Sequence, residues 1–232
     1  MSRLNILSGG AAQGLVASLA PRFKAETGFD IAGEFGAVGA MTEKLRGGIP
    51  TDVVILTAAL IARLAEEKLV VPASIADVGA VETALAVRSA DAKVSVCHIA
   101  DLRAAFLAAD AIFIPDTKAS TAGIHVAKVL RQLGIADAVA ARLRIYPNGA
   151  TAMQQLAASK AARAIGCTQS TEIISTEGVT LSGSLPQGYE LATIYTAAVA
   201  AQAANPEQAV ALIDLLTSLD QKATRKRAGF LS

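Results

Sequence analysis

The chain has 232 residues, a formal net charge of +1 at pH 7, 53% hydrophobic residues and only 4% aromatic residues, a length that allows one large domain or two smaller ones. Because 21 basic residues nearly balance 20 acidic ones, the composition excludes the basic surface that binds nucleic acid or an anionic membrane. The sequence contains no run of about 18 uncharged apolar residues, so it predicts no insertion into a membrane.

Short apolar strands alternate with amphipathic helices along the whole chain. The predicted strands cover 4–7, 29–35, 51–56, 83–88, 111–115, 143–147, 163–167, 178–186 and 189–200. The predicted helices cover 12–28, 41–46, 58–68, 101–109, 121–133, 150–160, 169–175, 206–219 and 220–227. This alternation predicts an α/β fold with mainly parallel sheets.

Five strand-to-helix junctions are rich in small and hydroxyl-bearing residues. They are 8–14, 36–42, 116–123, 148–154 and 167–173. Ligands of open parallel sheets bind beyond the carboxyl ends of the strands, where the N–H groups of a helix start favour an anion. Each junction alone is more typical of turn and capping chemistry, but the five together favour a pocket for an anion.

The amino terminus enters a strand within three residues of Met1, without a basic region followed by a long apolar stretch. We therefore expect a cytoplasmic protein if Met1 is the native start, and a periplasmic one if a signal peptide has been removed. Cys97 and Cys167 lack CxxC spacing, and His98 and His125 lack HExxH-type spacing. The sequence thus predicts no metal site and no cofactor.

Four segments carry a family resemblance: LNILSGGAAQGL, EFGAVGAMTEKLRGGIPTDVVIL, TAGIHVAKVLRQLG and PEQAVALIDLLTSLDQKATRKRAGF. They resemble the molybdate-binding-protein branch of the type II periplasmic solute-binding proteins, over nearly the whole chain. The resemblance implies two α/β lobes with mainly parallel sheets and a ligand cleft between them. Residues 1–83 and 197–232 would form lobe 1, and residues 84–196 lobe 2, with hinges near 84–88 and 190–197.

The resemblance also implies which residues contact the ligand. The family's ligand positions fall at or near Ala11, Val38, Gly39, Ala122, Gly149, Ala150 and Gln169. The junctions themselves add hydroxyl and amide donors at Ser8, Gly9, Ser120, Thr121, Thr151 and Ser170. The family's two serine positions fall near Ala11 and at Val38 or Gly39, and its tyrosine position falls near Gln169. A buried tetrahedral dianion needs a full set of donors, so we expect a small organic acid with one or more carboxylates instead of molybdate.

Three functions remain open for such a protein. The first is a solute-binding protein that serves the permease of an ABC transporter if it is exported. The second is a cytosolic isomerase of an unsaturated carboxylic acid, because the fold has aconitate-isomerase relatives. The third is a ligand sensor, whose partner surface the sequence does not identify.

An isomerase needs a proton shuttle beside its carboxylate-binding groups. The predicted catalytic residues are Lys118, Cys167 and Glu172, with Tyr195 as a further choice. A helix start after Cys167 would lower the pKa of its thiol, and Lys118 or Arg88 would meet a carboxylate. The alternatives are a buried small side chain for Cys167 and a first-turn dipole charge for Glu172. Lys118 would otherwise be a solvated loop charge, and Arg88 a surface hinge residue.

Overall fold

The computed structural model describes residues 2–231. The strands are β1 (Arg3–Gly9), β2 (Asp30–Gly36), β3 (Val53–Thr57), β4 (Ala76–Arg88), β5 (Ala111–Pro115), β6 (Leu143–Tyr146), β7 (Ala164–Gln169), β8 (Val179–Ser184) and β9 (Ala192–Val199). The helices are α1 (Gln13–Thr27), α2 (Val38–Arg46), α3 (Ala58–Glu66), α4 (Ile99–Ala108), α5 (Thr121–Gln132), α6 (Ala136–Val139), α7 (Gly149–Ala157), α8 (Ser170–Ile174), α9 (Pro206–Thr217) and α10 (Lys222–Arg227).

The chain divides into two compact units. Unit 1 comprises Met1–Val81 and Thr193–Ser232, and unit 2 comprises Glu82–Ala192. Each unit has an apolar core of its own, because the strands and helices of each bury their aliphatic side chains against one another. The α/β class and the parallel pairing predicted from the alternation are confirmed.

In unit 1, β1 pairs in parallel with β2 and β3, and β3 pairs antiparallel with β9. The core includes Leu4 of β1, Leu15 of α1 and Leu212 of α9. Helix α1 contains Pro21 and ends at Gly28, whose φ of 76° is the left-handed geometry of a glycine cap. Because β1, β2 and β3 run parallel, their carboxyl ends meet at one edge of the sheet.

In unit 2, β5 lies between β6 and β7 and is parallel to both. Strand β4 pairs antiparallel with β7 and with β8. Helices α5, α7 and α8 therefore begin at one edge of this sheet, where β5, β6 and β7 end. Thr83 reaches the same edge, because it lies directly opposite Gln169 at the end of β7.

The structure extends several predicted elements. Strand β4 begins at Ala76, β7 continues to Gln169, and α2 begins at Val38. Residues 168–169 are polar, so the apolar pattern stops before the strand does; the β4 partner extends the ladder through them. The four-residue helix α6 was not predicted, since one turn is too short to show a helical period.

Candidate functional site

Helix α5 begins at the carboxyl end of β5 with a first turn that no side chain caps. Ser120 is the N-cap, and the predicted contacts Thr121 and Ala122 follow it. A Cβ at Gly123 would overlap the main-chain oxygens of Pro115 and Asp116, so only glycine allows the helix to start this close to the strand. The unpaired N–H groups and the helix dipole make this turn suited to an anionic group.

The turn that leads into α5 is fixed by Asp116. Its Oδ1 accepts hydrogen bonds from the backbone N–H groups of Lys118 and Ala119, both at 2.7 Å. These bonds hold the pKa of the Asp116 carboxyl below its ordinary value. The Lys118 side chain is exposed, and among residues 2–231 its ammonium group has no hydrogen bond or ion pair. Its role toward a carboxylate stays a prediction.

The start of α7 is occupied by a side chain of the protein itself. The carboxyl group of Glu172 accepts hydrogen bonds from the backbone N–H groups of Gly149 and Ala150. Asn148, the N-cap, accepts from the Thr151 N–H at 2.8 Å. The backbone N–H groups of Gly149, Ala150 and Thr151 therefore have internal acceptors, and contact of these residues with a ligand, through the Thr151 hydroxyl included, stays a prediction.

Glu172 is a buried structural acceptor. It also accepts from the Thr168 hydroxyl at 2.5 Å and from the backbone N–H of Gln169, its own N-cap, in the manner of a capping box. Burial raises the pKa of the Glu172 carboxyl, and its donors oppose that rise. A Cβ at Gly149 would overlap the carboxyl oxygen, so the glycine is required by this contact.

Cys167 does not lie at a helix start. It is inside β7 and fully buried in the apolar cluster that includes Leu85 and Val126. Burial raises the pKa of its thiol to about 12, the opposite of the lowering predicted from a junction. The predicted junction was displaced because β7 is two residues longer than its apolar run, and Cys167 is the buried small side chain of the alternative interpretation.

Arg88 is bound at the other end of β4. Its guanidinium donates to the Asp91 carboxylate at 2.7 Å and to the main-chain oxygens of Ser159 and Ala162 at 2.6 and 3.2 Å. The prediction that it meets a ligand carboxylate is wrong, because all three guanidinium nitrogens donate to groups of the protein itself. Instead, Arg88 fixes the segment that precedes β7.

Several buried side chains have polar atoms without a hydrogen-bond partner among residues 2–231. They are the hydroxyls of Thr83, Thr171 and Thr193 and both amide atoms of Gln169. Each such atom costs about 1–3 kcal/mol when nothing pairs with it. Gln169 is among the predicted contacts and Thr83 is not, because the only signal of Thr83 in the sequence is a hydroxyl at the start of the apolar run 83–88.

In unit 1, the predicted contacts lie at two neighbouring junctions. Ser8 and Gly9 end β1, and Ala11 lies in the short 3-10 turn that follows. Val38 and Gly39 begin α2, whose N-cap Ala37 offers no side-chain acceptor. The carboxyl ends of β1 and β2 bring these two groups to the same edge, and contact with a ligand stays a prediction for all five.

The surroundings of Gly9 are tightly packed. A Cβ there would lie 2.8 Å from Tyr195 Cε1 and 2.9 Å from Val38 Cγ1. Tyr195, the further choice for a proton shuttle, is 3% exposed in β9 and packs in the core of unit 1.

Residues 2–231 contain no cluster of three or more His, Cys, Asp or Glu side chains arranged to hold a metal ion. In the same part of the chain, no helix is long and apolar enough to cross a membrane.

Residues 4–231 match the family described as bacterial extracellular solute-binding protein. The chain belongs to this family. Among the relatives of this solute-binding protein, an aconitate isomerase from Pseudomonas sp is 25% identical over 227 residues, which cover 95% of this chain and 84% of that one.

Two solved structures show the fold. The periplasmic molybdate-binding protein of Azotobacter vinelandii is 20% identical, with 99% of each chain covered and a TM-score of 0.80. The sulfate-binding protein SubI from Mycobacterium tuberculosis H37Rv is 17% identical, with 99% of this chain and 86% of that chain covered and a TM-score of 0.74. The predicted two-lobed fold of the type II periplasmic binding proteins is thereby confirmed.

Proposed function

We propose that this solute-binding protein binds a small organic acid with one or more carboxylates, and not molybdate. The observation that carries the proposal is the contrast between two helix starts of unit 2. The first turn of α5 has no side-chain cap, whereas Glu172 and Asn148 occupy the first turn of α7. One open helix start suits a carboxylate group.

The replaced side chains support the same ligand class. The resemblance places one serine near Ala11, a second at Val38 or Gly39, and a tyrosine near Gln169, and none of these positions keeps its hydroxyl side chain. With the α7 donors also used internally, a compact tetrahedral dianion would find few donors, and a buried charge without them is costly. A carboxylate spreads a smaller charge over two oxygens and needs fewer donors.

We also propose where the protein acts. If it is exported, it acts in the periplasm and delivers its anion to the permease of an ABC transporter, as its family membership favours. If it is not exported, it acts in the cytoplasm.

A ligand screen followed by thermal unfolding tests this function. A ligand at 100 times its Kd adds about 2.7 kcal/mol to the stability, and in a chain of this size each kcal/mol raises the Tm by about 2–4 °C. We expect a clear rise in Tm with succinate, malate or a tricarboxylate, and none with molybdate or sulfate. A rise with molybdate alone would overturn the proposal.

A matched pair of variants tests the role of α5. Thr121→Pro removes the first N–H group of the helix, and proline is well tolerated at this position because Ser120 before it has extended backbone. Thr121→Ala removes the hydroxyl and keeps the N–H group. We expect Thr121→Pro to weaken binding at least tenfold, and Thr121→Ala clearly less. If both variants weaken binding equally, the first N–H group of α5 does not contact the ligand.

The second function is an isomerase of an unsaturated carboxylic acid, favoured by the relative of that activity at 25% identity. Lys118 is the exposed member of the predicted proton carriers, since the Cys167 thiol is buried with its pKa raised to about 12 and the Glu172 carboxyl is buried with internal donors. Incubation of aconitate with the protein in heavy water tests this function. Deuterium on the carbon skeleton supports an isomerase, and its absence with an acid that binds supports a binding protein.

A further inference from the structure

We propose that the ligand carries a hydroxyl group beside its carboxylates, and that Thr83 and Gln169 bind this hydroxyl. The inference rests on the proposed function and names the chemical class of its ligand, a hydroxycarboxylate. It follows from where these two side chains lie and from the hydrogen bonds they lack.

The two residues belong to one face of the unit 2 sheet. In the antiparallel pair of β4 and β7, Leu85 lies opposite Cys167, and Thr83 lies opposite Gln169. Side chains two residues apart share a face of a strand, and directly opposed residues have Cβ atoms about 4.5–5.5 Å apart. The same face therefore changes from an apolar pair to a polar pair towards the edge where β7 ends.

Helix α5 covers this face and begins at the same edge. Its Val126 packs in the apolar cluster that contains Leu85 and Cys167. Because β5 is parallel to β7, the carboxyl end of β5, where α5 starts, lies beside the carboxyl end of β7. The open first turn of α5 and the Thr83–Gln169 pair thus lie at one end of one face.

Both side chains are buried with their polar atoms unpaired. Thr83 is 0% and Gln169 2% exposed, and neither the Thr83 hydroxyl nor either amide atom of Gln169 has a partner among residues 2–231. The side chain of Arg88, in contrast, has its hydrogen bonds made at the other end of β4. The unpaired atoms of this pair therefore lie at the edge where the ligand is proposed to bind.

The chemistry of the pair selects a donor. A carboxamide presents one oxygen acceptor and one NH₂ donor, whichever way its two atoms are assigned. Among residues 2–231 the Thr83 hydroxyl does not donate to the amide oxygen of Gln169. Ionised carboxylates, sulfate and molybdate have acceptors only, so in this arrangement they would leave that oxygen without a hydrogen bond. A ligand hydroxyl donates to that oxygen and accepts from the amide or from Thr83.

Pairs of acids that differ by one hydroxyl test the inference. Calorimetric titration would compare malate with succinate, and citrate with propane-1,2,3-tricarboxylate. In the unchanged protein, we expect the hydroxy acid of at least one pair to bind at least tenfold more tightly than its deoxy partner. A site built to pair with a hydroxyl discriminates strongly against an analogue that lacks it.

Variants then assign the preference to these residues. We expect Gln169→Leu to reduce the affinity ratio of hydroxy acid to deoxy acid below threefold, and Thr83→Val to reduce this ratio in part. Thr217→Val is the control, because its hydroxyl donates to the Ile213 main-chain oxygen inside α9, and it should leave the ratio unchanged. Far-UV circular dichroism checks that each variant is folded. If Gln169→Leu does not fold, the test rests on Thr83→Val.

The outcomes separate this inference from the proposed function. Equal binding of hydroxy and deoxy acids would overturn the inference and leave the proposal of carboxylate binding intact. This result is expected if an ordered water molecule pairs with Gln169 instead of a ligand hydroxyl. A preference that survives both variants would also overturn it. If none of the four acids binds, the carboxylate proposal and the inference fail together.

Discussion

Removal of the Glu172 carboxyl group should be among the most destabilising single changes in unit 2. Glu172→Ala leaves the N–H groups of Gly149, Ala150 and Gln169 and the hydroxyl of Thr168 without their acceptor. Hydrogen bonds to charged groups contribute about 1.5–3 kcal/mol each and are not additive. Since losses above 4–5 kcal/mol are exceptional for one substitution, we expect a loss of about 3–5 kcal/mol in the free energy of unfolding.

Urea unfolding followed by circular dichroism measures this loss. Glu172→Gln retains the shape and one oxygen acceptor and should cost about 1–2 kcal/mol. Glu177→Gln, at an exposed position near the end of α8, is the matched control and should stay within about 0.5 kcal/mol. A loss below about 1 kcal/mol in Glu172→Ala would refute the structural role, because the four donors would then need no acceptor.

The pH dependence gives an independent readout of the same group. Burial raises the pKa of the folded-state Glu172 carboxyl above its ordinary value of 4.5, so the folded protein binds this proton more tightly than the unfolded chain. Its contribution to stability is complete below that ordinary value and is lost as the pH rises through the folded-state pKa. The stability of the unchanged protein relative to Glu172→Gln should therefore decrease as the pH rises. An increase would show that the four donors dominate and that the pKa is lowered.

Two further predictions concern buried and tightly packed positions. In the folded protein at neutral pH, a thiol reagent should modify the exposed Cys97 and leave Cys167 unmodified until the chain unfolds, because Cys167 is buried and the pKa of its thiol is raised to about 12. Mass spectrometry identifies the modified cysteine, and rapid labelling of both cysteines would contradict the burial of Cys167. Gly9→Ala should lower the free energy of unfolding by about 1–3 kcal/mol through overpacking, because the new Cβ would lie 2.8 Å from Tyr195 and 2.9 Å from Val38. Adding Val38→Ala should restore part of the lost free energy of unfolding, measured by urea unfolding. A double variant less stable than Gly9→Ala would contradict the clash.

The periodicity of the sequence determined the order and class of most elements. Strand β5 was predicted with its observed bounds, and α1 was predicted to end at Gly28, because a fully apolar strand and a glycine helix cap are local signals. The residues before 83 in β4 and residues 168–169 in β7 were missed. They become strand through pairing with segments that are distant in the chain, which a local pattern does not contain.

The sequence also identified the junctions that carry the candidate site, since small residues and hydroxyls at helix starts are visible in one dimension. Only the tertiary structure decided which junctions are open. The Glu172 carboxyl binds the start of α7, a segment that lies earlier in the chain. This pairing depends on two helices that begin at the same edge of the sheet, after β6 and β7. Burial is likewise a property of the packed fold: it raises the pKa of Cys167 and leaves Thr83 and Gln169 facing each other with unpaired polar atoms.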